Sequence, residues 1–563
     1  MTKFNKSLFA FIVVSLTMFA AGCGGGGGGG GTFLPAGETE EAPSAVSTLT
    51  TAQSVFSATS ASQNLIMTIP VLSGQNTNFL MTVTNNSGSN QTVGIAPATS
   101  FAAALRPAAD APVLKASQVV GPDYELEQMA AAKGRLQEVL RRNTMLAVRQ
   151  GAGMRGSLRG ASHADEKVGD IVDIKLVSDG SGANYITRKF KLERKKDNLY
   201  KIFIDQEEYL GLSAKDGIYA VTSADLDHFS EELEKYILPF MTQNYGKVRD
   251  VDGDGCLSIM ISPVYAKLNF AGLFNSEDMV PVSARNNNNR DLIGIWSPTA
   301  GWVDGLTTSY NIKRERWLAA TRETFSHEMQ HAINFSAKVF AGGVLNSSAS
   351  MEDVWLDEGL CVCAEARYRQ LRGQDGKQTY AGNSGGGNLV TDFAGNDNRF
   401  NHWITSPSGA AIQGWASEFA HYGQKGLFLY YIFEQYGADK IKSIVQSTSI
   451  GMTNLNNVLG AGNFASLVNN WQFAVVNEGL RTAGLVDINS IEARFRYQEA
   501  LKLNTIYQVM QYDAKFPDEV SVAAGATAFY VIKQPASLPG SDYRFIVTSN
   551  QDQAVAVNLI RLP

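Results

Sequence analysis

The sequence predicts an α+β protein, and three observations predict it. Runs of β-type residues come in blocks at both ends of the chain instead of alternating with helices throughout. Between them, short apolar runs at 257–262 and 292–296 precede long stretches with helical spacing at 317–337 and 415–480. The composition, 44% hydrophobic and 18% charged over 563 residues, can supply a core for two or three domains. A net charge of −6 with no long basic block speaks against nucleic-acid binding.

The elements follow in order. Lys3 and Lys6 precede an apolar stretch at 8–20, too short to span a membrane with ordinary flanks, which is the pattern of an export signal. Ala20, Ala21 and Gly22 lead into Cys23. A small-residue triplet ending in Cys resembles the lipobox of bacterial lipoproteins, which implies cleavage before Cys23 and lipidation of its thiol. The other reading is an ordinary secretory signal with an incidental Cys. Residues 24–31 are eight consecutive glycines, a flexible tether, and the linker continues to residue 60. Gly24, in place of Asp, resembles the sorting pattern of outer-membrane lipoproteins. The expected location is the bacterial cell envelope, at the outer membrane or cell surface, held by the lipid anchor. No later stretch is long and apolar enough for a transmembrane helix in the mature chain.

Residues 61–165 read as a β-rich N-terminal module with strand-like runs at 64–69 and 79–83, followed by a helical segment at 125–150 and a Gly/Arg/Ser-rich connector at 151–162. A central mixed domain occupies 166–510. Residues 511–563 form a C-terminal β segment, which either pairs with the N-terminal module or stands alone. For the N-terminal module the expected role is packing or spacing.

The chemistry concentrates at His327-Glu328-Met329-Gln330-His331. On a helix, residues i and i+4 share a face, so the two imidazoles can grip one metal ion while Glu328 reaches toward a water on it. Only six histidines occur in the chain, so two of them in this pattern are a specific signal for a zinc hydrolase. A catalytic zinc takes three protein ligands and keeps one position open. The H-x-x-G-x-x-H continuation is absent, which leaves a Glu on a second helix. The run 354–360 fits, with Glu358 in the first turns and Asp353 and Asp357 near the helix start. Glu365, two turns further on the same face, is a rival third ligand or else a partner of a ligand histidine. Cys361 and Cys363 read as buried thiols or, alternatively, as soft metal ligands.

Trp355-Leu356-Asp357-Glu358-Gly359-Leu360 resembles the W-L-N-E-G word of gluzincin metallopeptidases, whose Glu is the third zinc ligand. Together with residues 327–335, it resembles the hyicolysin-like zinc metallopeptidases. The D-x-D-G-x-G segment at 250–255, the run 422–428 and Gln435-Tyr436-Gly437 carry the same resemblance, which spans roughly 165–480. It implies a gluzincin-type catalytic domain, zinc on His327, His331 and Glu358, Glu328 as general base, and a protein or peptide substrate. It also implies an oxyanion donor at Tyr422 or His421, with Tyr422 preferred because it lies in the Y-G word. The chain departs from the family pattern at Asp357, where Asn is usual, and in an Asn-rich loop at 286–289. The 26 residues between His331 and Glu358 exceed the spacer of thermolysin-like enzymes.

Asp250, Asp252 and Asp254 with Gly255 have the spacing of a calcium loop, but Ile261 stands where an EF-hand needs Glu. The expectation is Ca²⁺ pinning a turn, or an Asp/Gly turn with solvated carboxylates. The leading function is thus a zinc-dependent endopeptidase. Its rivals are a surface-binding, adhesin-like lipoprotein with a structural zinc site and a zinc aminopeptidase. The last lacks support because the G-x-M-E-N word of that class is absent.

Overall fold

A computed structural model describes residues 46–48, 55–59, 64–69, 77–85, 89–97, 123–151, 163–207, 221–268, 270–280, 288–297, 310–340, 344–374, 399–400, 403, 409–415, 419–460, 464–482, 487–498, 501, 508–511, 519–534, 543–549 and 555–562. Cys23 with its signal, the glycine tether, the connector at 152–162 and residues 286–287 of the Asn-rich loop lie outside the described residues.

The N-terminal strands are β1 (Val46–Thr48), β2 (Val55–Thr59), β3 (Asn64–Ile69), β4 (Thr77–Asn85) and β5 (Gln91–Pro97). The middle of the chain supplies β6 (Ile171–Val177), β7 (Tyr185–Lys196), β8 (Tyr200–Asp205), β9 (Leu257–Ser262), β10 (Gly272–Leu273) and β11 (Leu292–Trp296). The C-terminal strands are β12 (Gln508–Gln511), β13 (Glu519–Val522), β14 (Thr527–Gln534), β15 (Tyr543–Ser549) and β16 (Val555–Leu562). Four helices matter for the site: α1 (Asp123–Gly151), α2 (Tyr310–Val339), α3 (Val354–Gln374) and α4 (Phe419–Tyr436).

Strands from the two ends interleave. They form two five-stranded sheets, in the orders β1-β3-β15-β5-β13 and β12-β14-β4-β16-β2. Phe79, Met81 and Val83 on alternate positions of β4, with Val557 and Leu559 of β16 and Val93 of β5, belong to one apolar cluster, as the inner faces of two packed sheets do. The C-terminal strands therefore pair with the N-terminal ones. Helix α1 is not part of this sandwich. Its buried stripe of Leu136, Leu140, Thr144, Ala147 and Val148 recurs at helical spacing and packs on the central domain. Leu136 and Leu140 join the main core, whereas Ala147 and Val148 meet Phe335 and Val339 of α2. Burying each of these leucines contributes about 2 kcal/mol.

The central domain is built on a six-stranded sheet in the order β10-β11-β9-β8-β7-β6. β8, β9 and β11 run parallel, and every residue of these strands is buried, as expected for strands covered on both faces. β7 exposes alternate residues, so that side of the sheet meets solvent. β10 reverses direction against β11 and is the edge strand on that side of the sheet. α2 lies along β10 and β11, α3 packs on α2, and α4 packs on α3. The segment after β10 ends in contact with α1, where Thr144 Oγ1 and Ser276 Oγ are 2.7 Å apart.

Among the described residues, no helix is long and apolar enough to cross a membrane.

Candidate metal centre

α2 is enclosed on nearly all sides between Thr321 and Ser336, yet it buries Arg322, Glu323, His327, Glu328, Gln330, His331 and Asn334. Buried polar groups are costly unless partnered, so such a helix needs a network around it. α3 supplies much of that network.

The i,i+4 spacing puts the rings of His327 and His331 5.0 Å apart, edge to face. A Glu358 oxygen from α3 lies 3.4 Å from His327 Nε2 and 3.7 Å from His331 Nε2. All three side chains are buried, and His331 Nε2 has no hydrogen-bonding partner among the described residues. A tetrahedral ion with ligands at about 2.1 Å holds them about 3.4 Å apart, so these donors are spaced to share one zinc.

The outer nitrogens are held by carboxylates. His327 Nδ1 is 2.5 Å from Glu365 Oε1, and Arg399 donates to the other Glu365 oxygen at 2.5 Å. His331 Nδ1 is 3.1 Å from Asp357 Oδ2, to which Arg141 of α1 donates at 2.9 Å. Asn334 donates to Asp357 Oδ1 at 2.7 Å. Each histidine thus has a carboxylate behind it and an arginine behind the carboxylate. Burial alone would raise both carboxyls. His331 and Arg141 nonetheless hold Asp357 down at about 2, and Arg399 and His327 hold Glu365 well below the usual carboxylate range. Glu328 and Glu358 are buried beside the same two histidines. The donor set fits zinc on spacing and on ligand type.

Glu365 therefore stands behind the outer nitrogen of His327, away from the Nε2 atoms that converge with Glu358. Cys361 offers another donor, since its sulfur and ligand atoms of both histidines lie within 4.8 Å of one another. Burial, reinforced by Asp357 and Glu358, pushes its thiol well above the ordinary range, which disfavours the thiolate. Glu358 places its oxygen 3.4 and 3.7 Å from the two Nε2 atoms. Cys363 is buried, and its sulfur is 3.9 Å from the Tyr245 hydroxyl.

Glu328 lies on the β10 side of the histidines, fully buried, and one of its oxygens accepts the Phe274 N–H at 2.8 Å. Gly272 makes this approach possible. A Cβ there would stand 2.5 Å from Thr324 Cγ2 and 2.6 Å from Glu328 Cγ, so only glycine lets the edge strand pass directly over Glu328. Tyr422 of α4 is buried, and its hydroxyl has no hydrogen-bonding partner among the described residues. Burial, followed by the Glu358 and Glu328 carboxylates, raises it well above the usual tyrosine value. His421 Nδ1 is 3.1 Å from Gly414 O and 3.1 Å from Lys425 Nζ, and burial and Lys425 lower the imidazole to about 4.

The aspartate loop is separate from this centre. Asp250 accepts the N–H groups of Gly253 and Gly255 at 2.7 and 3.2 Å, and Asp254 accepts that of Cys256 at 2.7 Å. The Lys201 ammonium reaches Asp254 at 2.5 Å and Glu166 at 2.9 Å. Asp252 Oδ2 and Asp291 Oδ1 are buried with no hydrogen-bonding partner among the described residues. Burial and the neighbouring Asp254 push Asp252 up to about 7.

Sequence reasoning did not reach Arg141, Arg399, Asp291 or the Phe274 N–H. Arg141 and Asp357 are 216 positions apart, and no local pattern marks either as the other's partner.

No family model matches the chain. Over 155 residues the chain is 24% identical to the neutral metalloprotease ShpI of Staphylococcus hyicus, a match covering 27% of this chain and 32% of that protein. The match thus spans about a third of the length of this relative. At that distance, the similarity and the buried cluster of metal-ligating side chains point to a metal-dependent peptidase.

Proposed function

We propose that the protein is a zinc-dependent endopeptidase that hydrolyses peptide bonds of proteins outside the cytoplasm. The observation that carries this reading is the convergence of His327 Nε2, His331 Nε2 and a Glu358 oxygen at tetrahedral spacing, with Glu328 beside them under a strand edge. Zinc bound there supplies a Lewis acid for the scissile carbonyl and for the attacking water. Glu328 takes the proton of that water and passes it to the leaving amine, while the Phe274 N–H holds one of its carboxylate oxygens. An extended peptide added to the edge strand β10 passes directly over Glu328, an arrangement that suits cleavage within a chain. The Tyr422 hydroxyl donates to the oxyanion as it forms. Cys23 and the glycine tether hold the enzyme at the envelope.

Zinc content by mass spectrometry, with casein cleavage before and after chelation, tests the reading. One zinc per chain is expected, with cleavage lost on chelation and restored by zinc. A protein that keeps zinc and cleaves no protein substrate would be a binding lipoprotein instead. Tyr422→Phe is expected to lower kcat about 100-fold with zinc content unchanged; an unaltered kcat would assign Tyr422 to packing.

Calcium belongs to the same proposal. Asp250, Asp252 and Asp254 offer ligand oxygens within reach of one ion, and buried oxygens of Asp252 and the adjoining Asp291 lack partners among the described residues. Millimolar Ca²⁺ is expected to raise the melting temperature by about 3 °C, and not to do so in Asp252→Asn. An equal response in both proteins, or none in either, removes calcium from the loop.

A further inference from the structure

We propose that α1 is part of the active-site machinery, with Arg141 as the positioning residue that holds Asp357 and, through it, the imidazole of His331. The peptidase is then incomplete without a helix that lies ahead of its own sheet in the chain. This rests on the zinc reading above.

The pocket beside His331 and Glu358 has α1 as one wall. Gln137, Leu140 and Arg141 line it together with Phe274 and Ser276, which follow the edge strand. The wall is fixed in place. Leu140 is buried in the main core, and Thr144, one turn on, meets Ser276. Moving α1 would therefore disturb both the metal side of the pocket and the segment that holds Glu328 through Phe274.

Arg141 makes two contacts, and they differ in kind. One guanidinium nitrogen donates to Asp357 Oδ2 at 2.9 Å, and the other donates to the backbone carbonyl of Glu352. Glu352 lies just before α3 and Asp357 lies in its first turn, so the planar fork clamps the end of the helix that presents Glu358. The Asp357 carboxylate is shared among His331, Asn334 and Arg141. Without Arg141, that buried carboxylate would keep its charge with fewer donors and would be drawn off the axis of the His331 ring. The equivalent arm on His327, Glu365 with Arg399, comes from the central domain itself, whereas the His331 arm is borrowed from α1. Aspartate at 357, where the resembling word has Asn, carries a charge that an arginine can answer.

The test uses the full chain and the variants Arg141→Ala, Arg141→Lys, Asp357→Asn and the Arg141→Ala/Asp357→Asn double variant. Zinc affinity is read by competition against a chromophoric chelator, with casein kcat and KM as a second readout. Arg141→Ala is expected to weaken zinc binding about 10- to 100-fold. Arg141→Lys should recover only part of this, because an ammonium does not reproduce the fork. In the Asp357→Asn background, the further loss on removing Arg141 should stay below about twofold, because two residues acting through one contact are coupled. If Arg141→Ala does not fold, Arg141→Lys against wild type carries the test. Zinc affinity within twofold of wild type in every folded Arg141 variant would overturn the proposal, and so would losses that multiply in the double variant. A wild-type chain that holds no zinc at all overturns the zinc reading instead.

Discussion

Glu328→Gln is expected to cut peptide hydrolysis by about 1,000-fold while zinc content and melting temperature stay near wild type. The substitution keeps the shape of a fully buried side chain and leaves an amide oxygen to accept the Phe274 N–H. It removes only the capacity to take a proton. General-base catalysis is worth about 10²- to 10⁴-fold, so the loss corresponds to about 4 kcal/mol of transition-state stabilisation. The histidine donors are untouched, so metal binding separates from chemistry. Equal casein cleavage by wild type and Glu328→Gln, each holding one zinc per chain, would end the proposed mechanism.

Glu358→Ala is expected to lose zinc, and Cys361→Ala is expected to keep it. The two residues are the competing third donors, three positions apart on α3, and both are buried near the histidines. Geometry separates them. A Glu358 oxygen already stands 3.4 and 3.7 Å from the two Nε2 atoms, at the spacing a tetrahedral ion imposes. Burial and its carboxylate neighbours keep the Cys361 thiol protonated, so it must release a proton to bind. Removing one of three protein ligands should lower zinc affinity at least about 100-fold, more than removing a supporting residue does. Chelator competition on both variants decides the matter. Zinc lost from Cys361→Ala and retained by Glu358→Ala would make the centre a His-His-Cys site.

Much of the site was legible because its parts are local. The four-residue spacing of His327 and His331 puts both on one face of a helix, and Glu358 lies in a short word on the next long helix. The β-type alternation at 64–69 and 79–83 likewise reads directly as β3 and β4. The helix at 123–151 was legible as a helix, but its destination was not. A buried stripe shows that a face is covered without showing what covers it, and α1 packs on the central domain, away from the sandwich that surrounds it in sequence. The same holds for the tail, whose strands alternate as any half-buried strand does. Only pairing shows that β15 lies between β3 and β5.

Read alone, the sequence determined an α+β chain with two histidines on one helix face, a glutamate between them and a short set of candidate third ligands. Those follow from the period of a helix, which is a property of neighbours along the chain. Tertiary structure decided the order among the candidates. It turned Glu358 toward the inner nitrogens and Glu365 toward the outer one, and brought Arg141 across 216 positions to Asp357. The physical reason is that a buried charge takes its partner from whichever surface packs against it, and packing between distant segments leaves no periodic mark in the sequence.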